Sequence, residues 1–258
     1  AATLSTPSAT YDAQPNQLIT GTSGVDTVVV SEPSTNFSVS TSGTSSVITD
    51  NSGSYGTDTL ADIQFLKFSD KTIYVGPALT DANGNLTKAA NIDGLEIAFT
   101  GDAAGNTVYS SNFNYTNGVA LANQFITNAG LTNDATGLAT VFKNLGLATA
   151  GDNGLPTDAA NNQAGLYSVM ADLIQNNSGV IAAGGLAYAT DWLVNALASI
   201  TTANPNYAAY SAAAAALDTH IVNAHNYSSQ AANLNPEAIS TVSMGITGVL
   251  TQPFDQQA

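Results

Sequence analysis

Residues 56–75, reading GTDTLADIQFLKFSDKTIYV, set an Asp-rich turn directly against two short apolar runs. Ile63, Phe65, Leu66 and Phe68 supply enough apolar side chain to bury one face, and Thr72 to Val75 form a second strand-like run. Asp58, Asp62 and Asp70 fall at the ends of these runs. Carboxylates placed there either cap turns through backbone N–H groups or gather round a hard cation such as Ca²⁺.

The segment resembles the terminal β-motif of secreted calcium-binding proteins of the RTX (repeats-in-toxin) class. Gly56, Asp58, Thr59, Leu60, Ile63, Leu66, Phe68 and Asp70 stand in the places of that motif. Upstream, NQLITGTSGVDTV at residues 16–28 resembles the opening of the same domain, so the resemblance covers roughly residues 16–75. It implies a secreted bacterial protein with calcium at Asp26, Asp58, Asp62 and Asp70. Two departures limit it. The tandem Gly-Gly-x-Gly-x-Asp array is missing, so a parallel roll lined with ions does not follow. Gln64 and Lys71 stand where that class more often has an acidic residue and a glycine.

The alphabet then changes along the chain. Of 42 alanines only seven precede residue 89, whereas three of the four lysines do. Strand signals occupy Asp26 to Ser31, Phe37 to Thr41, Ser46 to Thr49, Ile63 to Phe68 and Thr72 to Val75, separated by short polar turns. From about Thr116 apolar residues recur at helical steps. Val119, Ala122, Phe125 and Ile126 mark one helix, and Leu138, Val141, Phe142 and Leu145 a second. Leu166, Val169, Met170, Leu173 and Ile174 mark a third, and Leu186, Trp192, Leu193, Leu197 and Ile200 a fourth. Tyr207, Tyr210, Ala214, Leu217, Ile221 and Ala224 mark a fifth. Asn235 before Pro236 reads as an N-cap and first-turn proline for a last short helix through Ile239, Val242 and Ile246. For Asn91 to Ala98 strand and helix both remain open. The expected fold class is therefore α+β: an N-terminal arm or added strand at 1–15, a small antiparallel β domain at 16–76, a mixed junction at 77–115, and an Ala-rich α-helical bundle at 116–258. This β-then-α order also looks like modules of bacterial surface-layer proteins.

Charge narrows the partners. Nineteen acidic residues face four lysines and no arginine, a formal net charge of −15. Phosphate backbones need clustered Lys and Arg, which argues against nucleic acid, and an anionic membrane surface would repel the chain. Yet charged residues make up only 9% of the sequence. Ser, Thr, Asn and Gln must then supply most of the wetted surface, a composition that suits molecules lying against their own copies. Cysteine is absent, which removes disulfide and thiolate chemistry.

Further candidate ligands sit in loops. Asp81, Asn83 and Asn85 offer oxygens at every second residue, and Asp152 with Asp158 forms a second acidic loop. Both loops fit a single calcium turn or an Asx-type turn, and neither completes an EF-hand. Catalytic patterns are sparse. His220 and His225 lie five apart on a predicted helix, off the spacing for metal ligands on one face. No Gly-x-Ser-x-Gly turn or phosphate loop occurs, and Asp93 with Glu96 reads as a solvated or capping pair before it reads as a glycosidase pair. Tyr109, Phe113 and Tyr115 are the candidates for an exposed binding contact, while Tyr188 and Trp192 read as helix packing. The expectation is a non-catalytic, secreted protein that self-assembles into a bacterial surface layer, filament or matrix, with calcium as its cofactor and no membrane insertion. The other reading is an adhesin or carbohydrate-binding module that recognises cell-surface polysaccharide.

Overall fold

The computed structural model describes residues 2–3, 8–10, 16–21, 26–42, 45–53, 56–76, 79–81, 85–147, 165–200, 210–229 and 231–242. The chain forms an α+β protein in which strands precede helices. It divides into two compact units, one built on residues up to Leu79 and one spanning Thr80–Ser243.

The first unit holds nine strands among the described residues: β1 (Ala2–Thr3), β2 (Ser8–Thr10), β3 (Leu18–Thr20), β4 (Thr27–Val29), β5 (Phe37–Ser42), β6 (Ser45–Asp50), β7 (Thr57–Ala61), β8 (Phe65–Lys67) and β9 (Thr72–Tyr74). They form two sheets, ordered β1-β3-β7-β6-β5 and β2-β4-β8-β9. Pairing of β5 with β6, β6 with β7, and β8 with β9 is antiparallel, as expected. The remaining pairs correct the expected antiparallel domain. β1, β3 and β7 lie parallel in one sheet, and β2, β4 and β8 lie parallel in the other. Strands β1 to β5 thus alternate between sheets, and β7 and β8 repeat the step after the β5–β6 hairpin, so the chain winds as a short parallel roll. Parallel strands reward stacking of like side chains in register: Ile19 sits beside Leu60, and Val28 beside Leu66. Both pairs, with Ile48, Ile63, Phe68 and Ile73, belong to one buried apolar cluster that joins the two sheets. Residues 2–3 and 8–10, expected as an arm or an added strand, add as strands to the chain's own two sheets.

The second unit contains eight helices among the described residues: α1 (Lys88–Thr100), α2 (Asn106–Ser111), α3 (Gly118–Asn128), α4 (Ala135–Asn144), α5 (Leu166–Asn176), α6 (Ser178–Ala183), α7 (Leu186–Ala198) and α8 (Ser211–Ser228). The open choice at Asn91 to Ala98 resolves as helix. Thr87 caps α1 by accepting the Ala90 amide, and Gly101 ends it at φ 79°, a left-handed conformation that favours glycine. Every residue from Ala90 to Phe99 is buried, so α1 is the axis on which α3, α4, α7 and α8 pack. Asn117 and Asp134 cap α3 and α4 by the same side-chain mechanism. The helix expected from Asn235 does not form through the described residues. Glu237–Ala238 (β11) instead pairs antiparallel with Asp102–Ala103 (β10), and the Ile239 amide donates to the Gly101 carbonyl. That ladder satisfies the backbone just past the end of α1.

Leu60 is fully buried against its ladder partner Ile19. Leu60→Ala is expected to lower the stability of the β unit by about 3 kcal/mol, the usual loss for a truncated core leucine. Urea unfolding followed by the strand signal in circular dichroism checks it; a change below about 1 kcal/mol would show that the two sheets do not share one core.

Candidate functional site

The acidic turns of the β unit divide into buried and exposed members. Asp26 is buried at the entry to β4, its amide donating to Gln64 Oε1 at 2.7 Å and its carbonyl accepting from the Gln64 and Phe65 amides. Gln64 therefore locks the turn between two wraps of the roll. Asp58 is also buried and accepts a hydrogen bond from the Gln17 amide. Asp62 is exposed and takes φ 55°, a strained value for a residue that bears a Cβ. Asp70 is exposed and accepts from the Ser34 amide and hydroxyl at 2.7 and 2.8 Å, which holds its carboxyl below the usual range.

Only two of these four residues meet. A Cβ at Gly21 would clash with the Asp62 carbonyl and fall 2.8 Å from Asp26 Oδ2, so both oxygens crowd the Gly21 backbone and only glycine fits between them. Asp58 and Asp70 serve other turns. Among the described residues no three acidic or histidine side chains cluster as metal ligands. In the loop before α1, Asp81 Oδ1 accepts from the Asn85 amide at 3.0 Å, and the Asn85 carbonyl accepts from the Asp81 amide at 2.7 Å. These two bonds tie Asp81 to Asn85. Asn83, Asp152 and Asp158 lie outside the described residues.

The aromatic candidates separate in the same way. Tyr109 is buried, a correction to its expected exposure, because its ring packs edge-on to Phe113 at 4.9 Å and its hydroxyl meets His225 Nδ1 at 3.1 Å. Phe113 remains 39% exposed. Tyr115 is half-buried, with Lys88 Nζ 5.1 Å from its ring centroid and its hydroxyl accepting from Asn91 Nδ2 at 3.5 Å. Burial raises the Tyr115 phenol above its ordinary range. Tyr188 and Trp192, read from sequence as packing residues, are 41% and 53% exposed.

The densest polar chemistry lies where α1 meets α8. Asp93, fully buried on α1, accepts from Ser228 Oγ at 2.6 Å through Oδ1. Its Oδ2 makes no hydrogen bond and lies 3.7 Å from His225 Nδ1. Burial raises the Asp93 carboxyl, against the opposing pull of His225 and Ser228. One turn on, burial together with the charges of Asp102 and Asp93 pushes Glu96 up to about 7. The expectation of a solvated or capping pair is therefore corrected: both carboxyls are interior. The Asn106 side-chain amide, at the start of α2, donates to the Ser228 carbonyl at 2.8 Å and ties that helix into the network. The order of contacts matters for chemistry. Ser228 donates to the acid, and His225 meets Tyr109 and Asp93 through one nitrogen, so the histidine does not bridge serine and aspartate as a nucleophile relay requires. Sequence singled out Asp93 and Glu96 as carboxylates three residues apart, but Ser228 and Asn106 carry no sequence signal among so many serines and asparagines. No protein-family model, curated protein or solved structure matches the chain.

Glu96 gives the helical unit a pH signature. Its carboxyl titrates near 7 when folded and near 4.5 when exposed, so the folded state retains a proton that the unfolded chain releases between those values. Stability from this group is complete below about pH 4.5 and is lost as pH rises toward 7. The expected slope is at most ~1.4 kcal/mol per pH unit. Urea midpoints measured across that window should fall with rising pH in the wild type and flatten in Glu96→Gln.

Proposed function

We propose that this chain is a non-catalytic, secreted structural protein that self-assembles into a bacterial surface layer, filament or extracellular matrix. One observation carries the reading. β1 and β2, consecutive strands of one wrap, form the outer strands of the two sheets at the same end of the roll, and no described strand pairs beyond them. An uncovered pair of parallel edges is a template for a further wrap supplied by a neighbouring molecule. A head-to-tail contact of that kind propagates as an open polymer instead of closing as a dimer. The scarcity of charge, 9% of residues, lowers the repulsion that would otherwise hold copies apart.

Calcium fits this reading at one place in the β unit. The Asp26 carboxylate and the Asp62 carbonyl supply two oxygens of the hard type that Ca²⁺ takes six to eight of. Both oxygens lie against Gly21, where only a glycine fits, and Asp70 is held by Ser34. A bound cation there would neutralise part of the acidic surface and fix the turn between wraps.

The adhesin reading rests on a different observation, the exposed Phe113 ring beside the Lys88–Tyr115 pair, which offers apolar rings and one cation to a sugar face. It predicts saturable glycan binding by monomers that Phe113→Ala weakens.

Light scattering on size-fractionated protein separates the two. Assembly is expected to grow with concentration and calcium, to loosen on chelation with EDTA, and to respond less to calcium in Asp26→Asn. Persistent monomers under every ionic condition would overturn the structural reading. Removing residues 1–10 should expose β3 and β4 as new edges, and unchanged assembly would show that the β1–β2 end is not the growing end.

A further inference from the structure

α5, α6 and α7 enclose a half-open cavity of about 240 Å³ lined by Met170, Leu173, Val180, Tyr188, Ala189 and Trp192. Two of the residues that line it are large exposed aromatics, and Val169 and Ile181, next to Met170 and Val180 in the chain, are exposed as well. A monomer that stayed dispersed would have every reason to keep such a surface polar. We propose that this face is a contact between two copies of the chain, a step that rests on the self-assembly reading and assigns it a second surface.

Charge identifies the occupant. Each copy carries nineteen acidic residues against four lysines, so two copies repel wherever ionised surface meets ionised surface. The three helices carry only two acidic side chains, Asp172 and Asp191, and no lysine. Asp172 is engaged by Asn176 Nδ2 at 2.7 Å, and Asp191 is turned to Asn91 Nδ2 at 3.1 Å. A basic partner would be drawn to acidic surface and finds little here. A second copy brings an equally uncharged, equally apolar face, and a two-fold contact places the Trp192 ring of each molecule against the cavity of the other.

Size sets the strength. α5 and α7 have 11 and 13 residues. At ~1.5 Å per residue and ~10 Å between axes, the face spans roughly 20 by 20 Å. That is about half the ~800 Å² per partner of a standard stable interface. The contact is weak alone and becomes decisive where copies are already held together, as in an array.

Trp192 is the chain's single tryptophan, so its fluorescence reads this face alone. Sedimentation and acrylamide quenching are measured over a concentration series for the wild type, for Tyr188→Asp, and for Ile181→Asp in case the first variant misfolds by circular dichroism. In the wild type, assembly, blue-shifted emission and protection from quencher should rise together. The aspartate variants should need on the order of tenfold more protein to associate, with Trp192 still open to quencher. If the variants assemble like the wild type while Trp192 stays open to quencher throughout, the face is not used, and self-assembly stands without it. A wild type that stays dispersed with Trp192 open defeats the underlying reading. Dispersed protein with Trp192 shielded shows that the chain covers its own face, and emission that shifts only with neutral lipid vesicles assigns the face to lipid; both outcomes overturn the proposal.

Discussion

Burial of α1 from Ala90 to Phe99 is the constraint on which the helical unit depends. A helix enclosed on every side normally carries apolar residues all round. This one also carries Asp93 and Glu96, and both are buried. Desolvation is tolerated because both carboxyls shift toward their protonated forms and because Ser228 and His225 give Asp93 polar neighbours. The arrangement fixes which face of α8 and which end of α2 meet α1, since an alternative packing would strand a carboxyl in apolar surroundings. The formal charge of −15 also overstates what the folded chain bears near neutral pH, because it counts Glu96, whose carboxyl is pushed up to about 7, as fully ionised.

The same burial explains what sequence could and could not reveal. α3, α4, α5 and α7 each turn one side to the core, so their apolar residues recur at helical steps and the helices are legible. α1 has no wet side, and Leu95, Ile97 and Phe99 read equally well as a strand. Asn235-Pro236 carries a sound local helix-start signal, yet β11 pairs with β10 because the backbone beyond α1 needs partners. Tyr188 and Trp192 lie at core-like spacing on α7 but face outward. Spacing shows that residues share a side, without showing whether another helix covers it. For Tyr109 the error ran the other way: a polar loop neighbourhood suggested exposure, and a distant histidine on α8 buried it.

In the β unit, local chemistry was legible and global direction was not. The runs that became β4, β5, β6, β8 and β9 follow from residue type, whereas β3 and β7, short and rich in Thr, are not singled out. Parallel pairing does not follow from residue type, because whether a strand returns beside its neighbour or one wrap earlier depends on long-range contacts such as Ile19 with Leu60. The structure shows that Asp26 and Asp62 share a turn around Gly21, whereas Asp58 and Asp70 fasten separate pieces of chain.

The β5–β6 hairpin has a consequence for how such proteins can be recognised at all. Ladder partners in the first two wraps, Ala2 and Ile19, lie 17 residues apart, whereas Leu18 and Thr59 lie 41 apart because the hairpin intervenes. The architecture repeats in space while the spacing along the chain does not. A search for periodicity would pass over this roll, and other rolls interrupted by an excursion would escape it for the same reason.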